Sequence, residues 1–484
     1  MKAKIPYKFW LYASNFTIKS MIQQVSYWSW YAYNNPSQEY GSFVHKKQFS
    51  KGRGYVYLVQ TWLVDMLYDI ACMNNFGNKQ ISRDEALYLI FLYNDYSGKN
   101  IDDKYLNNNN IKLYLYGCGG EQIRFQSKDR FFEDFTREKY ILDVISQRGY
   151  NHNLPNIQEE FRQITGLSSE EYSFLLYLLF SLSEKTNGSI PSVLPKYEDE
   201  NNSVANTDNI NKIIQTYSIT LHEIKTSNHK RQTFYSKPII KLSNGYIVSN
   251  PFLLLNTFSS AQLWVMRNYY FKKNSQKFTN AFGTYFEIYV EEILRNCLPH
   301  GSYRMIQPSK KEKRADWYLK IGPYDILVEQ KSSLSLLGIK QNHPDIEAMR
   351  NHINKNWGEA VSQLERTQQA EKLSSPIKII LVYEDYYKCE CLDELFEMNK
   401  DLKDDGKYWL VTINEFEVLL TLYKNNPVLA LTIIKDKDTA ETSKSLFGRE
   451  LKKFYNEHQI SPDIYLKQFG IYDSQLNSIS KFFK

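Results

Sequence analysis

The chain has 484 residues, 42% of them hydrophobic and 15% aromatic, which is ample for buried cores in two to four domains and excludes a wholly disordered protein. Its formal net charge of +6 is compatible with a polyanionic partner but too slight over this length to demand one. Cysteines at 72, 118, 297, 389 and 391, odd in number and without CxxC spacing, exclude a disulfide framework, and no HxxxH or HExxH motif is present.

In chain order, the N-terminus "MKAKIPYKFWLYASNF" lacks the apolar core and cleavage site of a secretory signal. Residues 1–195 alternate aromatic-rich helical segments with polar breaks such as Asn107–Asn110, and are expected to form a mainly helical recognition or regulatory domain. Within it, Ser168 and Glu171 stand at capping-box spacing ahead of a buried helix. Its apolar run at 174–180 is far shorter than the ~20 residues needed to cross a bilayer. A soluble cytoplasmic protein with no membrane partner is expected.

The stretch 196–212, "KYEDENNSVANTDNINK", is acidic, amide-rich and poor in large apolar residues, and predicts a linker. Residues 213–280 follow as a connecting segment, with a hairpin around Ser243-Asn244-Gly245 and then helices. Next, Phe282, Phe286, Val290, Ile293, Leu294 and Cys297 recur at helical spacing, with Glu287 and Glu291 along one edge. Strands are expected at "YRMIQ", on both arms of "RADWYLKIGPYDILVEQK" and at "IKIILVYED", with a long helical region before the last. The order over 281–435 is thus helix, three strands, helix, strand, then a strand and helix from "KYWLVTINEFEVLL". Short helical pieces form a C-terminal tail at 436–484.

The chemistry-bearing residues lie on the hairpin. With an even-numbered loop centred on Gly322-Pro323, paired positions sum to 645, which sets Asp316 across from Glu329 with Lys331 on the face of Glu329, whereas an odd loop or a bulge would break this register. Two facing carboxylates repel by roughly 1 kcal/mol at 4 Å in water and by about 4 at an effective dielectric of 20. A hard divalent cation offsets this repulsion, taking one or two carboxylates, waters and a substrate phosphate as ligands. Such an ion polarises a phosphodiester and supplies hydroxide near neutral pH, while an adjacent lysine stabilises the developing charge. A solvated salt bridge, worth about 0–1 kcal/mol, is the plain alternative for Lys331. Sugar hydrolysis by the two acids would need one of them raised in pKa, which the neighbouring lysine opposes.

These residues, "RADW" and "VEQKSS" with "FGTYFEIYVEEIL" ahead of them, resemble the PD-(D/E)xK nuclease superfamily. The resemblance covers about 100 residues and implies a mixed α/β restriction-endonuclease-like αβββαβ core. It implies Asp316 and Glu329 as metal ligands, the backbone carbonyl of Gln330 as a third, Lys331 as the catalytic lysine and Glu287 as a further catalytic acid. Mg²⁺ is the implied cofactor, with Mn²⁺ as a substitute. Ala315 stands where the eponymous proline would be. Gln363 takes a supporting place, with Thr367 where some subfamilies carry tyrosine. Lys310, Lys311, Lys313 and Arg314 are candidate phosphate contacts beside Asp316. The function implied is an endonuclease acting on nucleic acid, DNA foremost. By analogy with bacterial proteins of similar layout it would serve antiphage defence, as a homo-oligomer or with a partner protein of a defence system. The alternative is a nucleic-acid-binding or regulatory assembly protein whose nuclease-like core is inactive.

Overall fold

The computed structural model describes residues 7–35, 44–49, 52–99, 129–148, 154–191, 204–228, 232–307, 312–334, 346–384, 391–444 and 448–480. The fold is mixed α/β. Strands β1 (Val44–Phe49) and β2 (Gly52–Tyr57) form a hairpin. Strands β3 (Ser189–Pro191), β4 (Ser218–Thr220), β5 (Ile239–Leu242) and β6 (Gly245–Val248) form a four-stranded mixed sheet in the order β3-β6-β5-β4. Strands β7 (Tyr303–Met305), β8 (Trp317–Ile321), β9 (Tyr324–Lys331), β10 (Ile377–Val382) and β11 (Tyr408–Thr412) form the five-stranded sheet that carries the hairpin, in the order β11-β10-β9-β8-β7.

In that sheet β7, β8 and β9 run antiparallel as a meander, and β10 and β11 add in parallel to β9. A parallel pair needs a crossover, and helices between residues 346 and 370 supply the one from β9 to β10. Every residue of β10, "IKIILV", is buried, as befits an inner strand covered on both faces. One face, with Trp317, Leu319, Val328 and Ile379, packs on a long helix at Lys277–Cys297 and another at Ile413–Asn425. The other face, with Leu327, Ile380 and Leu410, packs on Met349, Trp357 and Leu364 of the crossover helices. The expected order of helix, three strands, helix and strand is therefore the observed one. The apolar stripe from Phe282 to Cys297 is buried as read.

Two readings from sequence change. Residues 204–212 of the expected linker are folded: Asn206 accepts from the Asn209 N–H and caps a helix at Thr207–Tyr217, and Val204, Ala205 and Ile210 are buried. Four apolar residues on one helix face were enough to dock a polar segment. Residues 196–203 lie outside the described residues, as do Asn107–Asn110. The boundary at 195 is also no break, because β3 from the N-terminal part pairs with β6 beyond the linker. Likewise a helix at Pro427–Thr442 runs through the expected start of the tail. The capping box forms as read, with the Glu171 N–H bonding Ser168 Oγ and the Ser168 N–H bonding Glu171 Oε2.

The N-terminal and sheet-bearing parts share one apolar cluster that runs from Phe9 to Ile471. A buried ion pair ties them further. Arg137, on helix α1 (Asp129–Lys139), donates through Nε and Nη2 to both oxygens of Glu417, at 2.6 and 3.0 Å, and Tyr289 Oη donates to Glu417 Oε1 at 2.7 Å. Among the described residues no helix is long and apolar enough to cross a membrane.

Four more helices bear on the site and its surroundings: α2 (Ala261–Lys272), α3 (Lys277–Cys297), α4 (Glu359–Ala370) and α5 (Ile413–Asn425).

Candidate active site

The site grows from the β8–β9 turn. Gly322 has φ +55°, with Pro323 at the second loop position, a two-residue arrangement that suits a tight hairpin and fixes Ile321 opposite Tyr324. From there the register runs to Trp317 opposite Val328, the sum of 645 read from the sequence. Asp316 sits one residue beyond the last paired position. Its N–H bonds the Val328 carbonyl at 3.0 Å, and its carbonyl accepts from the Ile306 N–H at 2.8 Å. The residue before it is pinned too: Ala315 N–H donates to Thr367 Oγ1 at 2.8 Å, so α4 holds the mouth of the hairpin through a fully buried hydroxyl.

Asp316 Oδ2 accepts from the Gln330 N–H at 2.7 Å, which brings the acid to the end of β9. Gln330 lies between Glu329 and Lys331, and its side-chain Oε1 accepts from Trp317 Nε1 at 3.4 Å. Glu329 is only 3% exposed. Its Oε1 accepts from Lys331 Nζ at 2.7 Å, and the same Nζ donates to Gln363 Oε1 at 3.1 Å. Gln363 thus belongs to the site, and α4 supplies it four residues ahead of Thr367.

Glu329 Oε2 is buried and accepts from no donor within the described residues. Burial first, and then the charge of Asp316, push the Glu329 carboxyl up to about 8, against the pull of Lys331. Asp316 is also raised by burial, and the Gln330 N–H bond and the Lys331 charge hold it down. Lys331 does not keep Glu329 ionised, contrary to the expectation from sequence, because dehydration of a nearly sealed carboxylate outweighs one ammonium.

Glu287 lies half-buried on α3. One turn earlier, Gly283 faces the end of β9, where an added Cβ would stand 3.4 Å from Ser332 Oγ. Glu287 is raised by burial and then by the charges of Asp316 and Glu291. Glu291 itself is exposed. One acid escaped the sequence reading. Glu359 opens α4, is held low by its hydrogen bond from Lys313 and feels the Lys331 charge. Its place on the first turn of a helix that also carries Gln363 was the available signal.

The basic run before Asp316 is only partly described: Lys310 and Lys311 lie outside the described residues. Lys313 is exposed and paired with Glu359 at 2.6 Å. Arg314 leaves a buried Nε without a partner among the described residues. Comparison of the chain with protein-family models, with curated proteins and with solved structures finds no match. Among the described residues no group of three or more His, Cys, Asp or Glu side chains is gathered for metal binding.

Proposed function

We propose that the chain is a metal-dependent endonuclease that hydrolyses phosphodiester bonds in nucleic acid, DNA foremost, at Asp316, Glu329 and Lys331 on a restriction-endonuclease-like core. The observation that carries this reading is the orphaned, buried Glu329 Oε2 against Asp316. A buried acceptor with no donor is costly unless a proton or a cation fills the gap. The donor set fits Mg²⁺ or Mn²⁺, being made of oxygens, with two carboxylates rather than three side-chain ligands. Asp316 and Glu329 would hold the ion, with the Gln330 carbonyl and water as further ligands. Bound there, it supplies Lewis acidity toward the phosphate and an acidified water.

The chain's own groups do the rest. Lys331 Nζ carries three donors, of which Glu329 Oε1 and Gln363 Oε1 take two. The third has no acceptor among the described residues and would serve a phosphate oxygen, where negative charge builds as water adds to phosphorus and the P–O ester bond breaks. Gln363 fixes that ammonium in place, and Thr367 fixes the backbone leading to Asp316. Cutting both strands of a duplex calls for two such sites, hence a dimer. A defence role rests on the resemblance alone.

A second reading, a binding or regulatory protein with an inactive core, is favoured by one contact: Lys331 Nζ already occupies Glu329 Oε1 at 2.7 Å. Incubation with supercoiled plasmid and Mg²⁺ or Mn²⁺ separates the two. Nicking by the wild type that is lost in Glu329→Gln and Lys331→Ala, with melting curves that show folded protein, supports the nuclease. DNA left intact by all three refutes it.

A further inference from the structure

Between Glu223 and Glu287 the sequence carries nine lysines and arginines and not one Asp or Glu. A chain with 54 acidic residues overall would be expected to place several in such a stretch. Helix α2 and its turn into α3 lie inside it, and the outer face of α2 sets that charge beside exposed Phe271 and half-buried Trp264 and Tyr269. Phe271, at 78% exposure, is the most exposed large apolar side chain described. The Arg267 guanidinium lies 4.8 Å from the centre of the Trp264 ring. Trp264, Arg267 and Phe271 follow at spacings of three and four, so they share one face of the helix. Exposed Lys272 follows directly, and Lys273 Nζ sits 4.0 Å from the Tyr269 ring centre.

The strip leads to the candidate active site. Arg267 Nη2 reaches the Leu334 carbonyl, three residues past Lys331, in a long bond of 3.5 Å. Burial works against the Arg267 charge, and Glu384 opposes this only through space. A half-dehydrated guanidinium with one weak bond among the described residues has donors to offer an anion. Rings that alternate with cations suit a phosphodiester strand whose bases are unpaired, because each base offers a face to stack and each phosphate a charge to neutralise.

We infer that the outer face of α2 is a binding tract for single-stranded nucleic acid, in which Phe271 and Trp264 stack on unpaired bases and Arg267 holds a phosphate beside the end of β9. This deepens the nuclease reading and rests on it for the direction in which the strand runs; binding itself is testable without turnover. Anisotropy of a fluorescein-labelled oligothymidylate, measured in EDTA across a salt series, gives the affinity. Phe271→Ala should weaken binding by about 5- to 150-fold, the range for loss of one stacked base. Arg267→Ala should weaken it and lower the slope of log affinity against log salt by about 0.7. Lys453→Ala, which removes an exposed lysine elsewhere, should leave both unchanged. Melting temperatures check that each variant is folded. Unaltered binding in the two α2 variants overturns the tract, as does a fully paired duplex that binds equally well and suffers equally from Phe271→Ala. If the α2 variants bind and cut like wild type while Glu329→Gln cuts nothing, the tract falls and the nuclease reading stands. If wild type binds but never cuts, the reverse holds.

Discussion

Replacing Glu329 by glutamine should stabilise the metal-free protein at high pH, against the usual outcome of altering a buried polar residue. The folded-state pKa of Glu329, about 8, lies above its ordinary value of 4.5. The native protein therefore binds more protons than the unfolded chain between those two values, and its stability falls as pH rises through the window. Each pH unit costs about 1.4 kcal/mol, so 3.5 units give an upper bound of about 5 kcal/mol, of which water entry and relaxation leave about 2–5. Glutamine keeps the shape and hydrogen-bonding capacity of the protonated acid and does not ionise. Urea unfolding in EDTA at pH 5 and pH 9 should give near-equal midpoints for wild type and Glu329→Gln at pH 5. At pH 9 the variant should unfold at clearly higher urea, and millimolar Mg²⁺ should restore much of the wild-type loss. A difference between the two proteins that stays constant across pH would refute the idea that burial, rather than Lys331, governs this carboxyl.

Four further outcomes rest on the same geometry. Binding of Mn²⁺ at pH 7 should release close to one proton, seen by titration calorimetry in two buffers of different ionisation enthalpy; equal heats in both would mean that Glu329 was already ionised. Thr367→Val leaves the buried Ala315 N–H without its acceptor and should cost about 1–3 kcal/mol in denaturant unfolding, with a loss of cleavage as Asp316 is released. Arg137→Ala strands the buried Glu417 carboxylate and should destabilise by about 3–5 kcal/mol, while Arg137→Met with Glu417→Leu should recover much of that in thermal melting. Gly322→Ala places a Cβ 2.7 Å from Leu431 Cδ2 at a φ of +55° and should lower the melting temperature by several degrees, because both the turn and its neighbour must shift.

The hairpin was legible because turn chemistry and side-chain alternation are local: Gly322-Pro323 sets the register, and the register sets which side chains meet. The strand and helix order of the sheet followed from the β-branched run at Ile377–Val382 and the stripe on α3 for the same reason. Tertiary facts were not legible. Nothing near Arg137 announces Glu417, 280 residues away, and no local pattern places β3 beside β6. Burial also decided the state of Glu329, and proximity to Lys331 in sequence pointed the other way. Residues 204–212 show the limit of composition: a polar segment folds when its few apolar residues share a helix face. The acid-free stretch before Glu287 was plain in the sequence, yet only exposed Phe271 and half-buried Trp264 on the outer face of α2 give it a use.

The most direct test is a crystal structure of the protein soaked in Mn²⁺, with anomalous scattering used to locate the ion. A metal-dependent nuclease site should show one peak bridging Asp316 and Glu329 oxygens at about 2.0–2.3 Å, with Lys331 Nζ moved from Glu329 toward open space. Absence of a peak at millimolar Mn²⁺, with Lys331 still bonded to Glu329, would contradict it.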